Sequence, residues 1–94
     1  MSKKKNDSHW TIGESYLIRT ITFYYLGKLE KVSRHELVFV KASWVADTGR
    51  YNDALLGGVD KLSEIEPIPG PVIIGRGALV DAAQWKHKLP EKQK

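Results

Sequence analysis

The stretch YLIRTITFYYLGKLEKVSRHELVFVKASWV, residues 16–45, decides the fold. From Tyr16 to Leu26 the chain is dense in aromatic and β-branched residues, the types that fit a pleated surface. Gly27 follows, then Lys28 to Val32, then the short polar segment Ser33-Arg34-His35-Glu36. A second dense run, Leu37 to Val45, comes next. Two long strands joined by a short polar turn predict an antiparallel hairpin. Neither run alternates cleanly, because Leu37 to Val40 is apolar on both faces and Phe23 to Leu26 is nearly so. Two-sided apolar strands in so short a chain imply a curled barrel, a subunit interface, or both. Gly27 inside the first strand marks the bend or bulge that tight curvature requires.

Downstream, Asp47-Thr48-Gly49 reads as a turn, and Arg50 to Leu56 as a helix of one or two turns. Thr48 is its candidate N-cap and Gly57 its stop. Leu62 to Glu66 is a short strand, and the prolines of 67–71 make a stiff connector that cannot enter a central strand. Val72 to Ile74 and Ala78 to Val80 read as two short strands about the turn Gly75-Arg76-Gly77, and Asp81 to Trp85 as a closing helical turn. The expected organisation is a flexible basic tail (1–11), one all-β domain (12–85) and a basic polar tail (86–94).

At 94 residues there is room for one domain and no second core. So small a chain buries a modest share of its surface, and the usual remedies are disulfides, a metal or self-association. The chain has no Cys, and His9, His35 and His87 lack ligand spacing, so neither a disulfide nor a metal site is expected. Self-association is the remedy that remains. The run Leu37 to Val40 is far short of the ~20 residues of a membrane span. The lysines near Met1 have no apolar stretch behind them, so no signal peptide is expected and a cytoplasmic setting is the default.

The net charge of +4 is unevenly placed. Residues 1–8 carry +2 and residues 86–94 carry +3, while 9–85 hold eight Lys/Arg against nine Asp/Glu. The core is therefore close to neutral, whereas a nucleic-acid binder usually clusters its basic residues on a folded face.

Five short strands with this punctuation resemble an Sm-like barrel, the fold of the Sm, LSm and Hfq families, over about residues 16–82. The first motif of that family is similar to Gly27-Lys28-Leu29, Val32, a loop, and Leu37-Val38-Phe39. The second, Arg-Gly between apolar strands, is similar to Ile73-Ile74-Gly75-Arg76-Gly77-Ala78-Leu79-Val80. The resemblance implies an all-β, five-stranded Sm-like small barrel with a short helix in an inserted loop, 46–71. It also implies a homo-oligomeric ring whose loops hold RNA or single-stranded DNA. The nucleic-acid-binding residues it points to are Ser33, Arg34, His35, Arg76 and Gly77. The family's loop Asp and Asn are replaced by Ser33 and by His35 or Glu36.

A second resemblance competes. Val45 to Gly49 resembles the active-site triplet of retroviral-type aspartic proteases, and Ile73-Ile74-Gly75-Arg76 a segment near their C-terminal end. In such dimers two like carboxylates share a proton, one acting as base and the other as acid. However, only 28 residues separate Asp47 from Arg76, and three of them are Pro. A flap hairpin and several strands of roughly 5 residues do not fit there. Asp and Gly are also ordinary turn formers. No catalytic Cys, phosphate-cradling glycine loop or His–carboxylate pair with helical spacing is present, so neither enzymatic activity nor a cofactor is expected.

Trp10, Trp44 and Trp85 are candidate stacking platforms, but large aromatics in a small β domain more often anchor its core, as do Tyr24 and Tyr25. The sequence thus leaves two functional classes standing: nucleic-acid binding through the two loops, and a structural scaffold that assembles without nucleic acid.

Overall fold

The computed structural model describes residues 9–94; residues 1–8, most of the expected N-terminal tail, lie outside them. The chain is mostly β, with strands β1 (Ser15–Thr20), β2 (Tyr24–Val32), β3 (Glu36–Asp47), β4 (Glu64–Pro67), β5 (Val72–Gly75) and β6 (Leu79–Trp85). Among the described residues, one α-helix, α1 (Tyr51–Gly57), and two 3-10 turns, Val59–Lys61 and Arg76–Ala78, complete it. All pairings are antiparallel. The sheet runs β4-β3-β2-β1-β6, β5 also pairs β3, and its ends do not meet.

Six strands replace the five expected, because the run 16–32 folds back on itself. Thr20 closes that turn. Its N–H and its hydroxyl both donate to Phe23 O at 2.8 Å, and its hydroxyl accepts from Phe23 N–H at 3.0 Å. The expected hairpin around Ser33 is present as β2–β3. The closing segment is a strand rather than a helical turn, since Leu79 to Trp85 pairs with β1. The helix is where it was expected, but Thr48 does not cap it: the N-cap is Arg50, without a side-chain bond.

The long strand β3 serves two partners, its first half pairing β5 and its second half β4. A bulge makes this possible. Leu26 pairs Ser43 and Lys28 pairs Val40, so Lys41 and Ala42 together face Gly27. An extra residue bends the strand and strengthens its twist. Gly27 suits this close approach, because an added Cβ would lie 3.1 Å from Phe39 Cβ and 3.2 Å from Ala42 Cβ, tighter than most side-chain contacts.

The two-sided apolar strands are explained within the chain. Tyr16, Ile18, Leu29, Leu37, Phe39, Ala42 and Ile74 form one buried cluster. Leu17, Leu26, Val45, Ala54, Leu62, Ile65 and Trp85 form another. Alternate residues of β1 thus feed different cores. The inserted segment supplies the cover for the second, with Ala54 and Leu55 from α1, then Val59, Leu62 and Ile65. Each fully buried Leu or Ile contributes roughly 1.5–3 kcal/mol.

Neither end of the described chain is detached. Trp10 packs edge-on to Tyr16 at 4.9 Å and to Phe39 at 6.3 Å, so it lies against the first core. The segment 86–94, read as a polar tail, docks instead. Leu89 packs on the second core, Pro90 is buried, and Lys94 exchanges two backbone hydrogen bonds with Ile65, each 2.9 Å. These bonds cover the outer edge of β4.

Among the described residues, Ser43 carries the one buried side-chain polar atom without a partner. It is fully buried, and its hydroxyl has no partner. Burying an unbonded hydroxyl costs about 1–3 kcal/mol. Ser43→Ala should therefore raise the urea midpoint, by a stability gain of about 1–2 kcal/mol with unchanged slope. A loss of stability would show that the hydroxyl is satisfied in solution.

Candidate functional site

The loop between β2 and β3 is tied by Ser33. Its N–H donates to Glu36 O at 2.9 Å and its hydroxyl does so at 3.0 Å, while Glu36 N–H donates to the Ser33 hydroxyl at 3.3 Å. Such a side-chain-closed turn is what Ser offers in place of a ladder bond. The Ser33 hydroxyl is thus occupied by its own turn. Arg34 and His35 project beyond it, exposed, with no side-chain partner among the described residues.

The second loop arrives from 43 residues further on. Arg76 opens the 3-10 turn between β5 and β6, and its N–H donates to His35 O at 2.9 Å. Its Nε donates to Ser33 O, also at 2.9 Å. The pairing of β5 with the start of β3 brings this about, since Glu36 faces Gly75 in register. Ser33, His35 and Arg76 are thereby tied into one loop pair. Arg76 is partly structural here, yet its two terminal guanidinium nitrogens have no partner among the described residues.

Gly77 completes the set differently from expectation. Neither Gly75 nor Gly77 has a positive φ, and an added Cβ would meet nothing within 4 Å at either. The fold does not demand glycine at these positions. They leave open surface beside Arg76, where another molecule's backbone can approach. The two loops, 33–36 and 75–77, carry two arginines, Arg34 and Arg76, against the single carboxylate of Glu36, so this pair is positive although residues 9–85 together are not.

The tryptophans divide. Trp85 is 3% exposed, its indole N–H donating to Lys88 O at 3.0 Å, and Trp10 sits against the first core. Trp44 alone of the three stands in a surface cluster, edge-on to Phe23 at 5.5 Å and opposite Tyr25 in register. Phe23 itself is 44% exposed. This cluster lies towards the other end of the hairpin, about 25 Å of strand from Ser33 at roughly 3.3 Å per residue. Trp44 is therefore not part of the loop site.

Asp47 ends β3 and opens the connection to α1. Its carboxylate accepts from Gly49 N–H at 2.8 Å, and Gly49 has φ 67°, a conformation that suits glycine. Sequence reading missed two groupings that only tertiary contact creates: the Phe23–Tyr25–Trp44 cluster, and Lys28, Lys41 and Lys88 around one cavity. Among the described residues no three His, Asp or Glu side chains come together as metal ligands, and no helix is long and apolar enough to cross a membrane. No family model, curated protein or solved structure matches this chain.

Proposed function

We propose that this chain is a non-enzymatic, Sm-like β-barrel module that self-associates as a ring and holds single-stranded nucleic acid, RNA or DNA, at its paired loops. The observation that carries this reading is the convergence of the two loops. The Arg76 N–H and Nε bonds to His35 O and Ser33 O assemble a positive corner from two distant motifs. Arg34 and His35 then stand free to contact phosphate and base, and the guanidinium tips of Arg76 can stack or donate in parallel. The barrel reading draws on the strand order, in which the last strand pairs beside the first. The ring reading draws on β5 and β6, whose outer edges pair with no other strand among the described residues. Ile73 and Val80 on these strands are 62% and 53% exposed. Closure of a ring would cover such edges.

The same exposed strands favour a second reading, a scaffold that assembles without nucleic acid, and one experiment separates the two. Fluorescence anisotropy with labelled homopolymers should show binding by the wild type that weakens with salt. Arg76→Lys keeps the charge but loses the planar fork and the Nε donor, so it should relax base preference with little change in salt slope. Arg34→Gln should lower affinity evenly across sequences and flatten that slope by about 1. If Arg76→Lys matches the wild type, the loop pair does not read bases. If no homopolymer binds at low salt, the scaffold reading takes its place.

A further inference from the structure

Away from the loops, the β2–β3 bulge and the C-terminal segment line an open cavity of about 520 Å³. That is the size of a small-molecule site. Lys28 and Lys41 flank the bulge on one side, and Lys88 faces them from the other, with Glu91 the only acidic residue on the wall. None of these three lysines has a side-chain partner among the described residues, whereas Lys94 bonds two carbonyls, those of Val59 and Asp60. The three lysines outnumber the one carboxylate, so like charges share the wall and repel one another. A bound anion would remove that repulsion.

Lys41 adds an independent sign. Its φ of 50° is the only positive value at a non-glycine residue among those described. A side chain rarely adopts this conformation without compensation, and such outliers gather at ligand sites. The bulge is held in place by Ile68 N–H, which donates to Ala42 O at 2.8 Å and anchors the proline-rich connector. The strained residue therefore sits on a fixed frame, on the wall of the cavity.

We propose that this cavity binds a phosphate monoester with an aliphatic body. Three lysines against one carboxylate leave two positive charges, which match the −1.5 to −2 of a phosphate monoester near pH 7. Lysine binds phosphate as a point charge, and no arginine is present to fork a carboxylate. Ile68, Leu89 and Pro90 supply an aliphatic floor, and no aromatic ring lines the cavity to stack a base. The site is separate from the loop pair, and its failure would leave the nucleic-acid reading standing.

Titration of the full-length ¹⁵N-labelled chain with n-hexyl phosphate tests the assignment, with hexanoate and inorganic phosphate as comparisons. Saturable shifts should appear at the amides of Lys41, Ala42, Ile68 and Leu89. Affinity should exceed that for either comparison by about tenfold, the equivalent of one charge-assisted hydrogen bond. Lys41→Gly is the decisive variant, because glycine accepts φ 50° while losing the ammonium. It should raise the melting temperature and weaken binding about tenfold. Lys88→Gln should weaken binding to a similar extent. A second arm uses vesicles of phosphatidic acid against phosphatidylcholine. Binding confined to phosphatidic acid and lost in Lys41→Gly places the phosphate on a lipid headgroup, and saturable hexyl phosphate binding places it on a soluble molecule. The proposal is overturned if neither probe binds, if hexanoate binds equally well, or if Lys41→Gly leaves affinity unchanged.

Discussion

Phe39→Ala is expected to lower stability by about 3–5 kcal/mol, a large part of the 5–15 kcal/mol that holds a domain together. Phe39 is 1% exposed, lies within the first core, and carries the edge of Trp10 at 6.3 Å. It also stands beside the bulge, its Cβ 3.1 Å from where a side chain on Gly27 would begin. Neighbouring strands cannot close into the space its ring leaves, because Leu29 pairs with it on one side and Val72 on the other. Both the transfer and the cavity contributions should therefore appear in full. Urea unfolding followed by tryptophan fluorescence measures the loss, and Trp10 reports directly on the site. Leu56→Ala, at a position 73% exposed on α1, is the control and should stay within about 0.5 kcal/mol. A comparable loss at both positions would mean that burial in the first core is not the source of the effect.

The second large effect is expected from ending the chain after Lys88. Removal of residues 89–94 takes Leu89 from the second core and buried Pro90 from the surface beneath it. It also breaks the two backbone bonds between Lys94 and Ile65 and the Lys94 Nζ bonds to Val59 O and Asp60 O. At about 1 kcal/mol for each backbone bond, with a half-buried leucine added, stability should fall by about 2–4 kcal/mol. A dispensable tail would lose nothing. Thermal unfolding distinguishes these, and a melting point unchanged within a degree would return the segment to solvent. Lys92→Gln is the companion measurement: it removes charge from the same segment without touching a bond, so its stability should stay close to that of the wild type.

Much of the strand content was legible because its signals are local. Aromatic and β-branched runs, the polar break at Ser33 to Glu36, and Arg50 to Leu56 each declare their structure within a few residues. The same local evidence misled where neighbours far along the chain decide. The run 16–32 looks like one strand, and a threonine whose hydroxyl reaches Phe23 O turns it into two. Asp81 to Trp85 lacks strand alternation, yet β1 offers it a free ladder and it pairs there. Lys88 to Lys94 is charged and reads as solvated, but its leucine, its proline and its last peptide group find partners already in place.

The candidate site divides in the same way. Sequence by itself determined which residues stand in turns: Ser33, Arg34 and His35 in one, Arg76 and Gly77 in another. It also determined that the apolar strands had two faces to bury. Only the tertiary structure decided that the two turns meet, through the pairing of β5 with the first half of β3. It alone decided that the second apolar face is covered by the chain's own helix and C-terminal segment. It alone gathered Lys28, Lys41 and Lys88 around one cavity. The reason is that turn and strand preferences are set by a residue and its immediate neighbours, whereas pairing across 40 or more residues depends on which apolar surfaces remain to be buried when the rest has folded.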